Sequence, residues 1–480
     1  MANDAIQIDK RLVLHHASER HARYFLNAAK AHRNAWQWFD RERLQIEMAW
    51  ERVRKQASSK STLVIDCALT FEPFQSRRGL WREVVSWGER ALQAAKAQKA
   101  KTIEAELLNN IGLALTNLGR LDEALERHRR GLQLQRELKN KRGEGHALGN
   151  IGAIHHRRGE LRRAAEFYEK HLAIARKIND LRGEESALAN LGLAHADLGD
   201  MSRALELYAQ SLALCRKLQA RQKEAMTLNN MGLAHANLGE VHRAIELHEQ
   251  ALVMFRKVGD RRGEANAQGN LGLAGYRLGD LRRAVDCFEQ QLHIVREIGH
   301  RHSESNALGN LGLAYAELGE LEKAIDFNER RLQLAAELGD RRGRAITLNN
   351  LGNVYRQLGE PQRAIEIFEE ALHIHRQNND RRRTGISLGN IGQACAALNE
   401  FSRAIEYYQQ ALAIMREIGD KRLEAMTAWK LGEAYENLGD LRQAAGFMQI
   451  TVDYERAIGH RDAEQDALRL QSVRSKLQKP

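Results

Sequence analysis

Proline is almost missing from this 480-residue chain: Pro73, Pro361 and Pro480 are its three. Proline lacks an N–H donor and its ring collides with the preceding helical turn, so its scarcity permits long, uninterrupted helices. Aromatic residues are also few, at 6%, while charged residues reach 29%. Such a chain is too long for one compact core, and this balance fits an extended helical array in which much of every helix faces water. The four cysteines, Cys67, Cys215, Cys287 and Cys395, lie far apart and form no C-x-x-C pair. They suggest neither a disulfide framework nor a zinc site, and imply a reducing, cytoplasmic setting. No run of about 18 apolar residues occurs, so no membrane span is expected. The opening MANDAIQIDKRLVLHH lacks the apolar centre of a signal peptide.

Catalytic motifs are missing as well. There is no G-x-x-x-x-G-K-[ST], no H-E-x-x-H and no G-x-S-x-G. No catalytic residue, metal ligand or cofactor is expected, and the chain reads as a non-enzyme. The nineteen histidines do not alter this. His155, His195 and His235 share one repeat position with Tyr315, which makes them substitutes for an aromatic at the core edge. His373 and His375 are two apart, on different sides of a helix.

What is present is a period of forty residues. Gly112, Gly152, Gly192, Gly232, Gly272, Gly312, Gly352, Gly392 and Gly432 form one column. Ala124, Ala164, Ala204, Ala244, Ala284, Ala324, Ala364, Ala404 and Ala444 form a second. A leucine column runs from Leu132 to Leu412 and ends at Val452. Nine repeats therefore cover residues 101–460, and a degenerate tenth covers 61–100, where Gly79, Trp81, Val84 and Leu92 keep the register.

Within the 301–340 unit, Leu308, Leu311, Gly312 and Tyr315 share a helical face. Gly319 is a natural C′ residue, followed by Glu320 at the next helix start. Leu321, Ala324, Ile325, Asn328 and Leu332 form the stripe of a second helix, which ends at Gly339. Asp340 is expected to cap the next unit, and Pro361 falls at a first helical turn, where proline is tolerated. Gly312 and Ala324 then lie on facing stripes, and their small size lets two helices approach closely.

These residues resemble the tetratricopeptide repeat (TPR). Its pattern of a leucine–glycine pair, an aromatic, a small alanine and a second aromatic matches Leu311-Gly312, Tyr315 and Ala324. The second aromatic is replaced by Asn328 here but kept as Tyr168, Tyr208, Phe288, Phe368 and Tyr408. The usual unit has 34 residues. The forty-residue form is similar to that of Pins-type adaptors, kinesin light chains and the TPR arms of bacterial STAND regulators. The resemblance implies an all-α fold, a right-handed TPR superhelix (α-solenoid) of antiparallel helix pairs with helical caps. Its first helices would line a concave groove.

On the first helix of the 301–340 unit, the face left over by the core carries Asn306, Asn310, Leu313 and Glu317. The Asn310 position is asparagine eight times running: Asn110, Asn150, Asn190, Asn230, Asn270, Asn310, Asn350 and Asn390, and then Lys430. An amide both donates and accepts, so such a row could hold a peptide backbone without reading its sequence, the role that the resemblance to kinesin light chains and Pins-type adaptors implies. It could equally bond neighbouring helices and stiffen the stack. The preceding column is mostly small (Gly149, Ala189, Gly269, Gly309, Gly389), which would leave room for a ligand main chain. The Leu313 column is apolar at Leu113, Ala153, Leu193, Leu233, Leu273 and Leu313, and polar at Asn353, Gln393 and Glu433. Apolar ligand contacts are expected up to about residue 340 and polar ones beyond. The Glu317 column mixes both charge signs and leaves the ligand's charge open.

The net charge of +11 and pI of 9.5 permit an acidic partner. Lys141-Arg142, Arg261-Arg262, Arg341-Arg342, Arg381-Arg382-Arg383 and Lys421-Arg422 would form a basic ridge between repeats, able to track a phosphate backbone or simply to pair with nearby carboxylates. Arg176-Lys177, Arg216-Lys217 and Arg256-Lys257 end second helices, where cations are favourable. Residues 1–60, with tryptophans at 36, 38 and 50, are expected to form a helical N-terminal cap, and residues 461–480 a capping helix and tail. The function that follows is a non-catalytic scaffold or adaptor binding a peptide or protein segment in its groove. The alternatives are a sensor arm acting with a separate STAND-type ATPase or transcription regulator, and a nucleic-acid scaffold on the basic ridge.

Overall fold

The forty-residue pattern becomes two helices and two tight turns. In the 301–340 unit these are Arg301–Glu317 and Leu321–Leu338, of 17 and 18 residues. Gly319 closes the first helix at φ +76°, a backbone region that glycine enters at no steric cost. The Glu320 N–H then returns to the Tyr315 carbonyl at 2.9 Å. The turn between repeats also carries positive φ, at Gly339 but equally at Lys139, Asn179, Gln219 and Asn379. The Asp340 carboxylate accepts from the Gly343 N–H at 2.8 Å, which is the expected N-cap. Asp180, Asp260, Asp380 and Asp420 cap in the same way. Glu320 makes no side-chain cap bond. Pro361 sits in the first turn of Pro361–Gln377.

The computed structural model describes residue 17 and residues 19–32, 36–56 and 61–477. Of the expected N-terminal cap, residues 1–16, 18, 33–35 and 57–60 lie outside the described residues, as do tail residues 478–480. Among the described residues the regular structure is helical throughout, without strands. The chain divides into two units, Met1–Glu240 and Val241–Pro480. Within each, consecutive helices pack side by side, and the first helices of neighbouring repeats also touch one another. The first helices of each unit thereby share one side.

The two small-residue columns mark the tightest packing. All nine alanines from Ala124 to Ala444 are 0% exposed. The glycine column receives the side chain sixteen residues further on. A methyl group at Gly152 or Gly192 would lie 2.7 Å from the ring of Tyr168 or Tyr208, and one at Gly272 or Gly352 would lie 2.5 Å from Phe288 or Phe368. In the 301–340 unit the incoming group is Asn328, fully buried, with its Nδ2 donating to the Ala324 carbonyl at 2.7 Å. Helix propensity is given up at these glycines for ring-to-backbone contact.

The second helices also reach forward to the next repeat. Arg136, Arg176, Arg216, Arg256, Arg296 and Arg416 bond through Nε to the glutamate eight residues on, Glu144, Glu184, Glu224, Glu264, Glu304 and Glu424, at 2.8–2.9 Å. Glu144, Glu264, Glu304 and Glu424 are 6–7% exposed. Carboxylates at that depth need a cation, so these arginines do more than balance a helix end.

At the N-terminal end, Trp50 stacks on Trp87 with ring centroids 4.3 Å apart, and Phe39 stacks on Phe74 at 4.8 Å. At the other end, Leu470 and Val473 of helix Ala463–Leu477 cover Ala445, Met448 and Val452. Gly446 lies in the helix just beneath, Leu441–Ala457, and a Cβ there would meet nothing within 4 Å. Gly446→Ala is accordingly expected to stabilise the protein by up to about 1 kcal/mol, readable as a raised midpoint in urea unfolding.

Candidate functional site

The shared side of the first helices carries the columns singled out in the sequence. The eight asparagines from Asn110 to Asn390 are all half-buried, and Lys430 is exposed. Their hydrogen bonding divides them. Asn150 donates to Asn109 of the preceding repeat at 2.7 Å, and Asn109 donates to Asn110 at 3.3 Å. Asn270 has a partner of its own. Asn350 Nδ2 is buried with no hydrogen-bond acceptor. Asn190, Asn230, Asn310 and Asn390 form no side-chain hydrogen bond among the described residues. A stiffening bond between repeats is thus present at Asn150, and four amides make no side-chain hydrogen bond.

Next to the asparagines, Leu113, Leu193, Leu233, Leu273 and Leu313 are 38–42% exposed. A single surface leucine means little, but the same position left open in one repeat after another is a repeated apolar foothold in each unit.

The small-residue column does not open this face. Gly309 is buried and covered by Arg331 of the second helix, Gly149 by His171 and Gly269 by Gln291. Burial holds the Arg331 guanidinium below its ordinary range, and its Nε has no partner. Asn349, in the same column, donates to Ser387 at 2.9 Å and contacts His375 at 3.1 Å. The column is largely a seat for the second helix, and of its glycines Gly389 alone faces open space.

Beyond residue 340 the polar column of Asn353, Gln393 and Glu433 is not the whole of the surface. Within the second unit a cavity of 370 Å³ opens between first helices Arg381–Ala397 and Lys421–Asn437, and its walls include Ile386, Tyr408, Met415, Met426 and Trp429. These residues come from other columns and from the second helix, so the polar character of Gln393 and Glu433 does not decide the environment.

Of the three histidines at the Tyr315 position, His155 takes the place of an aromatic ring and His195 and His235 meet carboxylates. His155 stacks on Phe167 at 5.2 Å, as Tyr315 does on Phe327 at 5.4 Å. His235 meets Glu240 at 2.6 Å and His195 meets Asp200 at 3.4 Å. No metal-binding cluster of histidine, cysteine, aspartate or glutamate occurs among the described residues, and no described helix is long and apolar enough to cross a membrane. On the basic ridge, Lys141 pairs with Glu144 at 2.9 Å, Arg142 with Asp180 at 2.9 Å, and Arg382 with Asp420 at 3.0 Å. Arg261, Arg381, Arg383 and Lys421 have carboxylate partners too. Much of the ridge is therefore already neutralised.

A family model described as tetratricopeptide repeat matches residues 103–177, 183–257, 223–297, 263–337, 303–377, 343–417 and 383–449. No curated protein matches the chain in sequence. Among solved structures, a STAND (signal transduction ATPase with numerous domains) protein with a TPR sensor from Pyrococcus horikoshii aligns with a TM-score of 0.56 and 15% identity. The match covers 76% of this chain and 55% of that one. The apo quorum sensor NprR from B. thuringiensis aligns with a TM-score of 0.53 and 16% identity, over 75% of this chain and 99% of that one. TPR-like repeats of a putative kinesin light chain from Podosopora anserina align at 0.36 and 21%, over 40% and 95%.

Proposed function

This chain belongs to the tetratricopeptide repeat family, and from that premise we propose that it is a non-catalytic interaction scaffold holding an extended peptide or protein segment on the first-helix face. The observation that carries the reading is the set of half-buried, uncommitted amides at Asn190, Asn230, Asn310 and Asn390. These amides are partly open to solvent and engaged with no other side chain, and a peptide backbone offers each both a donor and an acceptor. Asn110 and Asn150 extend the row in the first unit, beside Leu193 and Leu233, and Asn270 and Asn350 extend it in the second, beside Leu273 and Leu313.

The triple variant Asn190→Ala, Asn230→Ala, Asn310→Ala tests this against a purely structural role. Each lost hydrogen bond is worth roughly 1 kcal/mol, so binding of library-selected peptides should fall about 100-fold. Thermal stability should stay level or rise, because alanine is the better helix former. Unchanged binding, or a loss of stability without loss of binding, would refute the ladder.

A second reading is a sensor arm that works with a separate ATPase. It is favoured by the fold shared with the STAND protein whose TPR part is a sensor. Co-purification of the tagged full-length chain with an ATPase, abolished by the same triple variant, would support it.

A further inference from the structure

We propose that the cavity between helices Arg381–Ala397 and Lys421–Asn437 is a subsite for one basic side chain of the bound peptide, a lysine or arginine. Its aliphatic stem would lie along Met415, Met426 and Trp429, and its cation would meet the Glu455–Asp466 carboxyl pair. The inference rests on the peptide-binding reading above and specifies its ligand.

Three observations converge. The first is room. The cavity measures 370 Å³ and reaches from the asparagine face, at Asn390 and Gln393, down to Thr451, Glu455 and Asp466. Gly389 borders it, and a Cβ there would touch nothing within 4 Å. Gly389 therefore gives up helix propensity without the packing that Gly352 obtains. The second is the wall. Met426 is 54% exposed, and Trp429, also in the lining, is fixed on its own helix by its indole N–H, which donates to Glu433 at 3.0 Å. Flexible thioethers and an indole suit a methylene stem and a cation passing an aromatic face.

The third is charge. The buried glutamates of the array have cationic partners: Glu104 has Arg130, Glu144 has Arg136 and Lys141, Glu185 has Lys223, Glu264 has Arg256, Glu304 has Arg296, and Glu424 has Arg416. Glu455 has none of that kind. Its Oε2 is buried without a hydrogen-bond partner, and its side chain is 14% exposed, with only the His460 imidazole at 3.9 Å. Arg456 keeps the bond that its column makes elsewhere in the array, to the glutamate eight residues on, Glu464 at 3.3 Å, and so does not serve Glu455. Burial, and then Asp466 beside it, push the Glu455 carboxyl above its ordinary range. Lys430 also lines the cavity but pairs with Glu433 at 2.9 Å, and a carboxyl pair with no lysine or arginine of its own, beneath a largely apolar wall, matches a long side chain with a positive end.

The test uses the full-length chain and a random-sequence peptide library. Wild type should enrich peptides that carry a lysine or arginine at a fixed place. Replacing that residue by norleucine should weaken binding at least tenfold. The isosteric double variant Glu455→Gln, Asp466→Asn should bind the selected peptides at least tenfold more weakly, and should no longer distinguish lysine from norleucine. Met426→Lys, on an exposed wall position, supplies a competing cation and should also lower binding. Selected peptides without a basic residue, or a double variant that still discriminates, would overturn the subsite. If the asparagine triple variant abolishes binding while the carboxamide variant does not, the subsite fails and the groove reading stands. If no peptide is enriched, or the triple variant binds normally, both fail.

Discussion

Gly352→Ala is expected to destabilise the protein, although alanine is the better helix former. Taken alone, the exchange in a helix interior should gain about 1 kcal/mol. At this position the new methyl would stand 2.5 Å from Cε1 and 2.7 Å from Cδ1 of Phe368. Phe368 is 0% exposed and packs with Ala364, Leu372 and Leu388, themselves buried. The ring has no free volume to enter. Overpacking of this kind costs about 1–3 kcal/mol, sometimes more, and must first cancel the propensity gain. The net loss should be about 1–2 kcal/mol, read as a lower urea midpoint with an unchanged slope. A smaller partner should relieve it: Gly352→Ala combined with Phe368→Leu should cost less than the sum of the two single changes, a coupling expected only between touching residues. Gly446→Ala, with open space around it, is the matched control and should move in the opposite direction. If Gly352→Ala raises the midpoint, the glycine column is not held by ring packing.

The same contrast explains how far the sequence could be read. Helix pairs, turn glycines, aspartate caps and the alanine column were legible because each imposes a residue type at a fixed place in a forty-residue period. Gly309 and Gly312 were not separable by type. Both are buried under the second helix, Gly312 beneath Asn328 and Gly309 beneath Arg331, and only the position of the incoming side chain distinguishes a packing seat from an open face. The arginine–glutamate bonds between repeats were hidden for a different reason. Arg296 and Glu304 each look like an ordinary solvated charge, and a spacing of eight across a turn belongs to no local helical rule. A repeat-wise count pairing arginine with glutamate eight residues on would have found them. The cavity at the end of the second unit could not be inferred from columns at all. It needs Glu455 of the last repeat together with Asp466, which lies beyond the period.

Acidification should weaken both units well before their carboxylates titrate. In the first unit His128 occupies the position where Tyr168 and Tyr208 stand in the next repeats, and it is 1% exposed. Its Nε2 and the Nδ1 of His171 are buried without partners. In the second unit His248, also 1% exposed, is the equivalent. Burial lowers all three imidazoles to about 4, and His146, with its ring 5.8 Å from that of His171, adds like-charge repulsion there. The folded state therefore favours neutral rings, while the unfolded chain takes up protons near pH 6.5. Each histidine contributes stability that is fully present above pH 6.5 and is lost as pH falls from there towards 4. Linkage gives a loss of about 2 kcal/mol per group at pH 5. Carboxylates such as Glu144, held low by Lys141 and Arg136, contribute stability that persists down to their unfolded range near pH 4.5 and is lost only below it. The window between pH 6.5 and 5 thus belongs to the histidines. Urea unfolding at pH 7.5 and pH 5.0 should show the loss in wild type. His128→Phe, which puts into the first repeat the residue type found at Phe288 and Phe368, should remove about 2 kcal/mol of the difference while leaving the rest. Equal pH dependence in wild type and His128→Phe would show that this imidazole is already protonated or solvated in the folded protein.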